Sequence, residues 1–196
     1  MRNKENIAAL AELGVNYIGF IFYDKSSRNA MGLDVNVDTN GLMRIGVFVN
    51  EAVDFVQQKI KTYKLNAIQL HGDESPRYCK ALEQEEVSII KVFSIGDSFD
   101  FEITKAYEPF CDYFLFDTKG KERGGNGVVF NWDLLASYKG SLPFFLSGGI
   151  GPKSADALNA FHHEKLFGLD LNSKFEIEPG LKNIEQLKTF IDGIRS

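Results

Sequence analysis

Short apolar runs alternate along the chain with amphipathic stretches. The runs, rich in β-branched and aromatic residues, are Tyr17–Phe22, Ile45–Val49, Ala67–Leu70, Ser88–Phe93, Tyr113–Asp117, Phe144–Ser147 and Leu166–Leu171. Most are apolar almost throughout rather than strictly alternating. That pattern predicts parallel strands covered on both faces, not a half-exposed antiparallel sheet. Between them the spacing predicts helices over Lys4–Leu13, Glu51–Tyr63, Ser75–Glu83, Ser98–Tyr107, Asn131–Ser137, Pro152–Phe161 and Asn183–Ile194. Asn3 is placed to cap the first helix and Gly14 to end it. Gly32–Met43 has no helical face, so one outer helix is expected to be short or missing. A strand-then-helix unit recurring in this way predicts a parallel α/β protein.

Composition narrows the class. With 196 residues and no linker or low-complexity tract, the chain reads as a single domain over 1–196. Hydrophobic residues make up 44% and charged residues 25%, a globular balance that argues against disorder. The net charge of −5, with no basic stripe, gives no support to a nucleic-acid partner. No apolar run approaches the ~20 residues of a membrane helix, and the N-terminus has no secretory core; a cytoplasmic location is expected. Cys79 falls inside a predicted helix and Cys111 just before a strand, so both read as packing residues. Neither HxH nor CxxC occurs, so a metal site is not expected.

The chemistry concentrates where strands end. Ser147-Gly148-Gly149-Ile150-Gly151-Pro152 leaves a strand and enters a helix, a setting in which glycines let backbone N–H groups approach an anion. After the next strand, Asn172 and Ser173 can offer further N–H donors to the same phosphate or simply cap their loop. Asp117 ends a strand and precedes a stretch containing Gly124, Gly125 and Gly127, so it can serve as a general acid beneath a closing loop. Arg28 can hold a carboxylate through two hydrogen bonds, although an isolated loop arginine is also an ordinary surface charge. His71 can face the same mouth or only satisfy a turn. Two architectures fit, a doubly wound sheet and a (β/α)8 barrel. The first strand leads into FYDKSSRNA rather than a glycine-rich loop, which favours the barrel.

In order, GVNYIGFIFYDKSSR, RIGVFVNE, NAIQLHGDES, FDTKGKERGGNG, FLSGGI and GLDLNSKFEIEPGLKN resemble the phosphoribosylanthranilate isomerase family of tryptophan biosynthesis, and the resemblance covers nearly the whole chain. It implies a (β/α)8 TIM barrel, with seven strands visible here, and an Amadori rearrangement of N-(5′-phosphoribosyl)anthranilate to the 1-deoxyribulose 5-phosphate adduct. No cofactor or metal is implied. By motif, Asp117 is similar to the family's general acid and Arg28 to the residue that holds the anthranilate carboxylate. Gly148, Gly149, Asn172 and Ser173 match its phosphate-binding loops, and Asp170 its substrate-orienting aspartate.

The departure is at the front. The family begins with a strand carrying Lys-x-Cys-Gly, whose cysteine is the general base. Here Asn6-Ile7 matches the helix that follows, but the chain starts at Met1-Arg2, where the turn belongs. The expectation is a truncated product, inactive or severely impaired, with open barrel edges that leave a homo-oligomer possible. Asp24 and Ser27 stand where the family often has proline, which predicts a less rigid Arg28 loop. Asn131 stands for a common aspartate, with capping retained. A different phosphosugar barrel, such as an epimerase or aldolase, is a second reading, and a non-catalytic phosphosugar-binding remnant a third.

Overall fold

Seven strands form one wholly parallel sheet in a computed structural model that describes residues 1–34, 36–118 and 132–195. Their spatial order is their chain order: β1 (Tyr17–Ile21), β2 (Met43–Phe48), β3 (Ala67–Leu70), β4 (Ser88–Ile95), β5 (Tyr113–Thr118), β6 (Phe144–Ser147) and β7 (Leu166–Leu169). Helices return the chain on the outside: α1 (Lys4–Ala11), α2 (Val53–Tyr63), α3 (Pro76–Leu82), α4 (Ala155–Ala160) and α5 (Ile184–Arg195). A two-stranded antiparallel hairpin, β8 (Glu176–Glu178) and β9 (Leu181–Lys182), precedes α5.

Side-chain direction along the strands separates two cores. Ile45, Ala67, Ile90, Val92, Leu115 and Phe145 pack together on the concave face, with Tyr17 and Tyr113 beside them. The alternate residues, such as Ile68, Phe93, Phe114 and Phe116, join the larger core beneath the helices. Tyr17 on β1 meets Phe145 on β6 with ring centroids 5.8 Å apart. A flat sheet would hold those strands five spacings, or roughly 24 Å, apart. The sheet is therefore curled into most of a barrel, open between β1 and β7.

The open side is tied from outside. Asn6 of α1 donates through Nδ2 to the Lys182 carbonyl at 2.9 Å and accepts from the Lys182 amide at 2.8 Å. The nitrogen of Met1 donates to Gly19 O at 2.7 Å on the free edge of β1.

Several predicted elements differ in extent. Residues 98–107 contain a 3-10 helix (Phe101–Ala106) in place of an α-helix, and 131–137 another (Trp132–Ser137). The helix expected over Pro152–Phe161 is a 3-10 turn (Pro152–Ser154) followed by the six-residue α4. The segment read as a loop before the last helix holds the hairpin. Cys79 and Cys111 are buried in the helix-side core, away from the strand ends.

Candidate active site

All eight predicted site residues line one cavity of about 1730 Å³ at the C-terminal ends of the strands: Arg28, His71, Asp117, Gly148, Gly149, Asp170, Asn172 and Ser173. Ordinary ligand pockets span ~300–1,000 Å³. The excess here comes from the gap, because Tyr17, Gly19 and Phe167 of the edge strands line the same space.

Arg28 is not a free surface charge. It stands in the loop after β1, shaped by side chains where prolines are absent: Ser26 Oγ accepts from the Arg28 amide, and Asn29 bonds to Tyr23 O and the Met31 amide. Its guanidinium grips Glu176 of the hairpin through Nε and Nη2, the shortest bond being 2.5 Å. Side-chain hydrogen bonds thus shape this loop where the family often has prolines.

His71 follows β3 on a turn pinned by a buried ion pair. Lys91 of β4 points to the helix side, where Nζ donates to Leu70 O, Gly72 O and Glu74 Oε2 at 3.1, 2.7 and 3.1 Å. Glu74 in turn accepts from the amides of Asn50 and Gly72. The turn so held sends His71 across the mouth, Nε2 standing 3.5 Å from Asp117 Oδ2. Gln69, on the concave face, donates through Nε2 to His71 Nδ1 at 3.0 Å. A neutral His71 therefore carries its proton on Nε2, facing the Asp117 carboxylate.

The anion loops lie side by side. Gly148 and Gly149 have φ of 86° and 68°, a left-handed pair that only glycine adopts readily. A Cβ on Gly151 would come within 3.2 Å of Lys174 Cβ, so the two loops approach through a glycine. Ser173 opens a 3-10 turn whose first internal bond is Phe175 N to Asn172 O, which leaves the Ser173 and Lys174 amides unused by that turn. Since α4 has only six residues, any anion held here would rest on these loop amides rather than on a helix dipole.

Asp170 accepts from Ser147 Oγ at 3.0 Å. Burial pushes its carboxyl up, against the Ser147 hydrogen bond and the Lys182 charge. Burial also pushes Lys182 down, opposed by Glu176 and Asp170. For Glu176 burial alone would raise the carboxyl, but the Arg28 hydrogen bonds and Lys182 together hold it below the usual range.

The family model of N-(5′-phosphoribosyl)anthranilate (PRA) isomerase matches residues 1–193. This chain belongs to that family. Among relatives, the N-(5′-phosphoribosyl)anthranilate isomerase of Parabacteroides distasonis is 47% identical over 99% of this chain and 90% of its own length. That of Phocaeicola vulgatus is 43% identical over 100% and 95%. The crystal structure of phosphoribosyl anthranilate isomerase from Thermotoga maritima is similar at a TM-score of 0.83 and 30% identity, covering 100% of this chain and 95% of that one. A phosphoribosyl anthranilate isomerase solved in complex with reduced 1-(o-carboxyphenylamino)-1-deoxyribulose 5-phosphate is similar at a TM-score of 0.82 and 29% identity, with the same coverage. The fold is thus the α/β barrel of the PRA isomerase family, with seven of its parallel strands among the described residues.

Sequence reading missed Glu176, Lys182, Gln69 and the Lys91–Glu74 pair. The hairpin had a signal: Glu176-Ile177-Glu178 alternates ahead of Pro179-Gly180, a turn dipeptide. Lys91 and Glu74 had none, because a charge inside an apolar run does not name its partner. The glycines expected to cover the site (Gly124, Gly125, Gly127) and the expected cap Asn131 lie outside the described residues. Among the described residues no group of three or more His, Cys, Asp or Glu is placed to hold a metal, and no helix is long and apolar enough to cross a membrane.

Proposed function

We propose that this chain is an isomerase that opens N-(5′-phosphoribosyl)anthranilate and rearranges it to 1-(2-carboxyphenylamino)-1-deoxyribulose 5-phosphate, a step of tryptophan biosynthesis. The observation that carries the assignment is the convergence of an acid, a guanidinium fork and two amide-rich loops on one mouth. In this reading Gly148, Gly149, Asn172 and Ser173 seat the phosphate, and Arg28 takes the anthranilate carboxylate. Asp117, faced by His71, protonates the furanose oxygen as the C1–O bond breaks, and the nitrogen lone pair forms the imine. Asp170 orients the ribose hydroxyls. Loss of the C2′ proton then yields the enolamine, which tautomerises to the ketone. That proton passes to a base other than Cys79 and Cys111, which among the described residues both sit behind the sheet.

The test is a fluorescence titration with the reduced 1-(o-carboxyphenylamino)-1-deoxyribulose 5-phosphate analogue, alongside turnover of the phosphoribosyl substrate. Expected are saturable binding displaced by inorganic phosphate, and an Asp117→Asn variant that binds but turns over ~10²–10⁴-fold more slowly than its parent. Absence of binding would overturn the assignment. The reading includes a single domain over 1–196, a cytoplasmic location and self-association through the β1 and β7 edges, the last checked by sedimentation velocity.

A further inference from the structure

We propose that Glu176 is a positioning residue that makes Arg28 selective for a carboxylate-bearing ligand, a proposal that rests on the reading of Arg28 as the holder of the substrate carboxylate. A guanidinium has two forked edges, Nε with Nη2 and Nη1 with Nη2, and each matches a carboxylate. Glu176 occupies the first: Nε donates to Oε1 and Oε2 at 3.1 and 2.8 Å, and Nη2 to Oε2 at 2.5 Å. Among the described residues Nη1 makes no hydrogen bond, so the second fork is left for a ligand. Arg28 also lines the cavity.

Glu176 can do this because it is itself fixed. Its side chain is only 4% exposed, and Oε1 accepts from the Gly180 amide at 3.1 Å and from Lys182 Nζ at 3.3 Å. Lys182 Nζ reaches on to Asn172 Oδ1 at 2.8 Å. One polar chain therefore runs from the phosphate-side loop at Asn172 to the guanidinium, and it sets where a carboxylate sits relative to a phosphate. Without Glu176 the ligand itself would have to order a long, rotamer-rich side chain, which loses affinity.

The experiment compares two probes on the full chain: the reduced o-carboxyphenylamino deoxyribulose phosphate analogue and its phenylamino counterpart lacking the carboxyl. Any general change in the mouth acts on both, while the loss of Glu176's negative charge by itself would favour the carboxyl-bearing probe and so works against the expected fall. In the isosteric Glu176→Gln the ratio of the two affinities should fall about 3- to 10-fold, the range expected for losing a preordered side chain. Arg28→Ala should abolish the preference altogether. Equal weakening for both probes would make Glu176 merely structural, and a selective gain for the carboxylate probe would make it a competitor of the ligand; each result overturns the proposal. Should Glu176→Gln not fold by circular dichroism, Glu176→Asp replaces it. The shorter acid keeps the charge but cannot hold both nitrogens in place, so a selective loss is again expected, and an unchanged ratio overturns the proposal. If neither probe binds the parent chain, the functional reading falls and this proposal with it.

Discussion

Replacing Lys91 by methionine keeps most of the side-chain length and removes the ammonium from a site where Lys91 is 2% and Glu74 4% exposed. The variant leaves the Leu70 and Gly72 carbonyls without this donor and Glu74 without its countercharge. Breaking a buried ion pair by deleting one partner costs about 3–5 kcal/mol. Glu74 keeps the Asn50 and Gly72 amides at 2.8 and 2.9 Å, which places the expected loss near the lower end, about 3 kcal/mol. For a domain of this size that corresponds to a fall in Tm of roughly 6–12 °C. Urea and thermal unfolding followed by circular dichroism measure it, with Lys105→Met as the control. The Lys105–Glu102 pair has side chains 62% and 73% exposed, so water and salt already screen it and its loss should leave the unfolding midpoint essentially unchanged. Adding Glu74→Gln to Lys91→Met should recover part of the loss, because the unpaired charge goes while one acceptor stays. If Lys91→Met unfolds no more easily than the control, or the double variant is no better than the single, the argument from the buried charge is wrong.

Other outcomes follow from the same geometry. Gly149→Ala should lower stability by about 1–2 kcal/mol, from its φ of 68° alone since no atom crowds the new Cβ, and should weaken phosphate competition for the mouth. Phosphate displacement of a bound fluorescent analogue reads that effect. Asn6→Leu strips both bonds from the buried Lys182 backbone and should cost about 2–5 kcal/mol in urea unfolding. Glu176 is depressed below its ordinary value of 4.5, so its contribution to stability is present above that pH and is lost as the pH falls through the folded value. Asp170 is raised, so its contribution is present at low pH and is lost as the pH rises through the folded value. Unfolding midpoints across the acid range should accordingly lose the Glu176 share of their acid-side decline in Glu176→Gln and gain on the neutral side in Asp170→Asn.

What the sequence made legible was whatever depends on short-range pattern. Runs such as FFLS and AIQL are apolar because both faces of a parallel strand are covered, and each became a strand with those bounds. Asn3 caps its helix as expected because an N-cap is decided within three residues. The strand-end residues were legible because a barrel brings every strand's C-terminal end to one rim, so Asp117 and Asp170 meet without any long-range clue. The Arg28–Glu176 pairing was not legible, since 148 residues separate the partners and neither position has a pattern of its own. The α-helix expected over 98–107 failed differently. Phe101 and Tyr107 do pack on the core beside Phe93 and Phe116, but the turn there tightened to 3-10 geometry, which hydrophobic spacing over so short a segment does not distinguish.

A substrate with a phosphate and a carboxylate must enter a mouth where, among the described residues, three acidic side chains stand, on a chain of net charge −5. The structure disposes of each negative charge in a different way. Glu176 stays anionic, but its charge is spent on Arg28 and Lys182. Asp170 is driven toward its neutral form by burial and is tied to Ser147. Asp117 faces His71, with Nε2 3.5 Å from Oδ2. Of the three carboxyl groups, Asp117 is the one that stands beside an imidazole, and its side chain keeps a share of solvent, 23% exposed. The acidic rim is thus compatible with an anionic ligand because Glu176 is paired with cations and Asp170 is driven toward its neutral form, while Asp117 is the carboxyl proposed to move a proton.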